Sequence, residues 1–259
     1  MLNFRPHTYD QLSRLPRAHF ESELVEYVKT FFAREHEELG ATASLEICQR
    51  ILNNAESLGF QQQKSIFYFV SMTYMLGTRC FDDPQIEWLG AHLKNEFTQE
   101  STRISRAWSH CLDYIEKTAG DENQLLIAAL IRAKHTALSD VPDSSKQDFN
   151  IQLLDFLQWL YPEKVAYQTK ESLSDLIKHA SLVAQHHLMD TGKGIGLLSS
   201  IMLFLGSFVH EDPLYPWLGK ILCDNFATPE SKIQNLFFAT QNYIEIALRD
   251  DVQAGADDE

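Results

Sequence analysis

A chain of 259 residues, 44% hydrophobic and 22% charged, carries enough apolar content for one large core or two modest ones. Its formal charge of −14, from 22 Lys and Arg against 36 Asp and Glu, argues against the clustered cations that phosphate contacts need, so no nucleic-acid partner is expected and a basic protein would be attracted instead. The start, MLNFRPHTYDQ, lacks the apolar core of a signal peptide, and no window approaches the roughly 18 uninterrupted apolar residues of a membrane span; a soluble cytoplasmic protein with no membrane partner is expected.

Taken in chain order, the pattern is helical throughout. Phe20, Leu24, Tyr27, Val28 and Phe31 recur at the spacing of one helix face. A second helix is expected over about 43–58 and a third, very apolar, over about 62–77, stopping at Gly77, a residue suited to a left-handed cap. Asp83-Pro84 marks the start of a fourth, the aspartate accepting from free N–H groups and the proline in the first turn, with Ile86, Leu89 and Leu93 facing inward. A fifth, long helix is expected over about 100–117.

The same elements then return. Asp212-Pro213 repeats Asp83-Pro84 at an offset of 212 − 83 = 129, and that offset carries Leu76-Gly77 onto Leu205-Gly206, Trp88-Leu89-Gly90 onto Trp217-Leu218-Gly219, Phe97 onto Phe226 and Tyr114-Ile115 onto Tyr243-Ile244, without a gap. The second set of helices is expected near 149–160, 171–188, 191–208, from Asp212-Pro213, and 229–249. The fold class is therefore all-α: two tandem copies of a roughly five-helix unit joined by a linking helix. Residues 1–120 form the first copy, 121–142 the linking helix and turn, 143–249 the second copy, and 250–259 a disordered acidic tail.

Candidate chemistry is sparse. The run Asp190-Thr191-Gly192-Lys193-Gly194-Ile195-Gly196 lacks phosphate-loop spacing and reads as a turn and helix start. His179 and His186 lie two turns apart on one helix, too far to share an ion, and the neighbours His186 and His187 diverge; no metal site is expected. Cys48, Cys80, Cys111 and Cys223 form no CxxC pair and read as buried reduced thiols, with Cys80 further suppressed as a nucleophile by Asp82 and Asp83. His110 and Cys111 are adjacent and cannot face each other on a helix. Paired acids such as Glu37-Glu38 and Glu211-Asp212 suit caps and helix starts. No catalytic residue and no cofactor is expected.

The stretch Asn54-Ala55-Glu56-Ser57-Leu58-Gly59-Phe60, then Ser65-Ile66-Phe67-Tyr68-Phe69-Val70-Ser71-Met72, Leu76-Gly77 and Phe81-Asp82-Asp83-Pro84, resembles a small helical module common in bacterial type VI secretion loci, beside spike proteins, adaptors and toxic effectors. The second copy departs from that pattern, with Leu188 for Gly59 and His210 for Phe81. The resemblance implies a setting in toxin delivery and carries over no catalytic residue. Within that setting, the absence of a catalytic constellation, the acidic balance and the duplicated scaffold suit an immunity protein that binds a cognate toxic effector, or alternatively an adaptor or chaperone that loads an effector onto the secretion spike. A third reading, an enzyme, finds no nucleophile, base and oxyanion donors to assemble. The expected partner-binding residues are Arg79, Phe81, Asp82 and Trp88 in the first copy, and Phe208, His210, Glu211 and Trp217 in the second, where acids accompany aromatics. Each tryptophan also suits a core anchor.

Overall fold

The computed structural model describes the backbone of residues 6–143 and 148–254, and the side chains of residues 17–143 and 148–249. The described residues are all-α, with no strand among them. In the first half the helices are α1 (Pro6–Phe31), α2 (Ala33–Ser57), α3 (Gln63–Leu76), α4 (Glu87–Leu93) and α5 (Glu100–Ala119). A linking helix, α6 (Gln124–His135), leads to α7 (Phe149–Leu160), α8 (Pro162–Tyr167), α9 (Lys170–His186), α10 (Gly192–Leu205), α11 (Pro216–Leu222) and α12 (Pro229–Ala254). Both ends of α3 and of α4 fall on those of α10 and α11 at the offset of 129 residues that the sequence shows.

The structure adds an element to the sequence reading. α2 is broken at Gly40 (φ 79°, ψ 163°), and its first segment lies at the positions that form the separate short helix α8 in the second half. Each half thus carries one more helical segment than the apolar spacing indicates. Asp83-Pro84 and Asp212-Pro213 do not open an α-helix either. Pro84 begins a single 3-10 turn (Pro84–Ile86), Pro213 lies in a turn, and Pro216 is the proline that starts α11. At the far end α12 continues through Ala254, into the segment expected to be a disordered tail; residues 255–259, and residues 144–147 of the expected boundary turn, lie outside the described residues.

Two cores follow from the duplication. Leu24, Ile47, Phe60, Phe69 and Leu89 are buried in the first, and Leu153, Leu176, Met189, Leu198 and Leu218, at the same positions, in the second. α5 and α12 contribute Ile104 and Ile233 to these two cores. α6 packs against α5, α7 and α12, where Leu130 and Ala133 meet Leu160 and Ile244, so the linking helix holds the two halves side by side. The turn after the second segment keeps its handedness even where glycine is lost: Leu188 has φ 60° where Gly59 has φ 78°.

Candidate functional site

The two loops singled out by sequence face each other. Asp83, at the N-terminus of its 3-10 turn, accepts from Gln85 N at 2.9 Å within its own loop and from Ser207 N at 2.8 Å and Ser207 Oγ at 2.7 Å in the other half. Asp212 does the same in return, accepting from Leu214 N at 3.0 Å in its own loop and from Thr78 N at 2.7 Å across the junction. Thr78 and Ser207 are themselves equivalent positions, so the contact is self-complementary, as in an isologous dimer folded into one chain. Both carboxylates are buried. Burial raises the Asp212 carboxyl above its usual range, and the N–H groups of Leu214 and Thr78 oppose that shift.

Gly77 and Gly206 make this approach possible. As expected from sequence, both are C-caps with positive φ, bonding through N–H to the Thr73 and Met202 carbonyls, and their dihedrals, φ 98°, ψ 155° and φ 100°, ψ 152°, lie in a region that only glycine adopts readily. A Cβ on Gly77 would stand 3.1 Å from Asp212 Oδ2, and one on Gly206 3.1 Å from Asp83 Oδ2. The repeated Leu-Gly and Asp-Pro pairs therefore serve the meeting of the copies as well as each copy alone.

The expected partner-binding residues are distributed around this junction. Arg79 donates to Glu211 at 3.0 Å and lies 3.9 Å above the Phe208 ring, spanning the two halves. Asp82 is paired with Lys94 at 2.6 Å, and Phe81 packs against Phe69 in the first core. Asp82 and Glu211 keep exposed rims. Trp88 stacks on His110 at 3.9 Å and leans on Tyr114, while Trp217 leans on Tyr243; both indoles are half-buried core anchors. His110 in turn bonds with Tyr167 at 3.0 Å, which ties α5 to α8.

His210 sits beside His179, their ring centres 5.2 Å apart. Burial pushes the His210 imidazole down to about 4 and lowers that of His179 as well. His92, His110 and His187 are lowered for the same reason. The unfolded chain takes up these protons near pH 6.5 and the folded chain only at lower pH, so the unfolded state binds more protons between about 6.5 and 4. Stability is accordingly lost as pH falls through that window. The expected result is a urea midpoint that drops from pH 7 to pH 4.5, and a flatter profile for His210→Leu, with His210 alone accounting for about 2 kcal/mol at the acid end. A midpoint independent of pH over this range would contradict the assignment.

The remaining candidates from the sequence do not converge. Thr191 caps α10, its Oγ1 accepting from Gly194 N at 3.2 Å, so the glycine run is a helix start. His187 Nδ1 pairs with the Leu222 carbonyl, whereas His179 lies against Phe208 and His210. Among the described residues, no group of three or more His, Cys, Asp or Glu is placed to hold a metal ion. Cys48, Cys80 and Cys111 are buried, and burial is the first cause that raises all three thiols, Cys48 to about 11 and Cys111 to about 12. For Cys80 the carboxylates add to it, through Asp83 and Asp212 rather than Asp82. Cys223, expected buried, is exposed.

Beside the junction lies a cleft of about 440 Å³ between the two halves, within the range of small-molecule sites. Five tyrosines line it: Tyr74, Tyr114, Tyr161, Tyr215 and Tyr243. Lys164 of α8 enters it with Nζ 3.2 Å from the Phe204 carbonyl, at the C-terminal end of α10, and 6.0 Å from the centres of the Tyr114 and Tyr161 rings. The side chain touches the cleft but is surrounded by protein, and this burial pushes its amine down to about 8, against a smaller upward pull from Asp83. Sequence reading passed over Lys164 because α8 has no helical apolar pattern long enough to detect.

The described residues define an all-α fold whose halves meet through loops at equivalent sequence positions. No protein-family model, no curated protein and no solved structure matches the chain. No helix among the described residues is long and apolar enough to cross a membrane.

Proposed function

We propose that this protein works by binding another protein, and that its partner is a toxic effector of a type VI secretion system which it neutralises as an immunity protein in the cytoplasm. The observation that carries the binding role is a pair of phenylalanines. Phe97 and Phe226 occupy the same position in the two halves and are 103% and 101% exposed, as open as a side chain in an extended peptide. Each is held by the same turn: Phe97 N donates to Asn95 Oδ1 at 3.2 Å and Phe226 N to Asp224 Oδ1 at 2.9 Å. A single exposed apolar side chain is ordinary on a protein surface. Two copies of one turn that both hold a phenylalanine away from the core are better explained by a partner that covers them.

The setting rests on the resemblance of residues 54–84 to the secretion-locus module, and the acidic balance of the chain favours a basic partner. The junction takes up Arg79 and Phe208 internally, so the partner's first contacts fall on Phe97, Phe226 and the exposed rims of Asp82 and Glu211. Expression of the chain together with the toxin encoded beside it tests the role. Restored growth supports immunity, and loss of effector secretion on deletion supports the alternative role in loading. The double variant Phe97→Ala, Phe226→Ala is expected to weaken the complex by about 100-fold while leaving the unfolding midpoint within error, because neither ring touches the core. An unchanged dissociation constant would remove these residues from the interface.

A further inference from the structure

We propose that the cleft between the halves binds a small amphipathic monoanion, an apolar body ending in a carboxylate that pairs with Lys164. This inference does not rest on the toxin-binding reading. It starts from the state of the ammonium. Lys164 donates to one acceptor, the Phe204 carbonyl, and otherwise faces the rings of Tyr114 and Tyr161, which offer a cation weak attraction and no counter-charge. No carboxylate pairs with it among the described residues. Asp83, whose charge acts on it through space, is already taken by Gln85 N, Ser207 N and Ser207 Oγ. A cation partly withdrawn from water without an ion partner is unfavourable, and a bound carboxylate would lower that cost.

The duplication sets the direction of the ligand. The position of Lys164 in the second half is that of Glu35 in the first, 164 − 129 = 35, and both line the cleft. Two equivalent sites thus carry opposite charges, Lys164 beside Tyr114 and Tyr161, Glu35 beside Tyr74, Tyr215 and Tyr243. Arg34 also lines the cleft at the Glu35 end but is paired with Glu38, so the Lys164 end is where an anion meets a cation without a paired carboxylate. Between the two ends Leu76, Ile115, Leu126 and Leu205 give the wall apolar surface, broken by Gln85 and Asn123. A cleft of about 440 Å³ accommodates a chain or ring system of the size of a medium-length carboxylic acid.

Titration calorimetry on the full chain with octanoate, octanol and octylamine tests the proposal. Octanoate is expected to bind with a dissociation constant below roughly 1 mM, and octanol, which keeps the body and loses the charge, about 10-fold more weakly. Lys164→Met should weaken octanoate by about 10-fold or more and leave octanol unchanged, whereas Lys164→Arg should retain octanoate binding. Because Lys164 also bonds the end of α10, circular dichroism must show the variant folded. If it is not, Ile115→Trp, which fills the cleft from α5 without touching the charge, should abolish binding of both ligands. No heat with octanoate at millimolar concentration, octanoate no tighter than octanol, a preference for octylamine, or binding untouched by Ile115→Trp would each overturn the assignment.

Discussion

Asp83→Ala is expected to destabilise the protein by about 3 kcal/mol, and Asp212→Ala by a similar amount. The reason is the number of donors that each carboxylate satisfies away from water. Removing Asp83 strands the donors Gln85 N, Ser207 N and the Ser207 hydroxyl, all buried. Removing Asp212 strands Thr78 N and Leu214 N. A buried donor without a partner costs about 1–3 kcal/mol. Asp83→Asn keeps an acceptor oxygen but turns an NH₂ group toward donors, so it should recover only part of the loss. The two alanine variants are coupled through one contact surface, and the double variant should fall short of the sum by about 1 kcal/mol, since the second cut meets a junction already loosened. Urea unfolding of the four proteins measures this directly. Single variants within about 0.5 kcal/mol of the parent would show that the loops touch without holding the halves together.

The junction explains what could and could not be read from the sequence. The duplication was legible because it is an identity at a fixed offset, and the helices were legible because each core needs its own apolar face. The repeated Leu-Gly and Asp-Pro pairs were also visible, yet their spacing describes a cap and a helix start, which is all that one copy requires. That Asp83 reaches Ser207 while Asp212 reaches Thr78 is a property of two copies placed face to face, over a sequence separation of more than a hundred residues. Local pattern carries no sign of it. A reader could have asked why a turn would keep the same glycine and the same acid in both copies after the surfaces around them diverged; a self-complementary contact is one answer. The short segments at 33–39 and 162–167 escaped for a different reason, being too short to show a period, and with them went Lys164 and the cleft. Phe97 and Phe226 were visible as a repeated pair, but only their exposure separates them from core residues.

A second pair of equivalent residues, Arg103 and Lys232, hold their own halves together from inside, and their loss should cost about 2–3 kcal/mol each. Both are buried cations, 6% and 4% exposed, a burial that long charged side chains rarely reach without partners. The partners here are helix ends. Arg103 donates to the carbonyls of Leu93 at 2.8 Å and Leu58 at 2.9 Å, closing the C-termini of α4 and α2. Lys232 donates to those of Leu222 at 3.0 Å and His187 at 3.2 Å, the same two positions in the second half. A cation there meets both the unpaired carbonyls and the negative end of two helix dipoles. Arg103→Met and Lys232→Met remove the donors while keeping much of the stem, so the loss reads the capping itself. The effects should add, since each acts within a separate core. Exchange of the two cations is not symmetrical. Arg103 lies 4.5 Å over the ring of Phe60, whereas the equivalent position in the second half is Met189, which offers no face for a guanidinium. Arg103→Lys should therefore cost about 1 kcal/mol through the lost stacking, and Phe60→Met in that background should cost less than in the parent. Thermal and urea unfolding of this four-member cycle gives the coupling. A value near zero would mean that the guanidinium and the ring are neighbours without mutual energy, leaving the helix ends as the whole reason for a buried cation in each half.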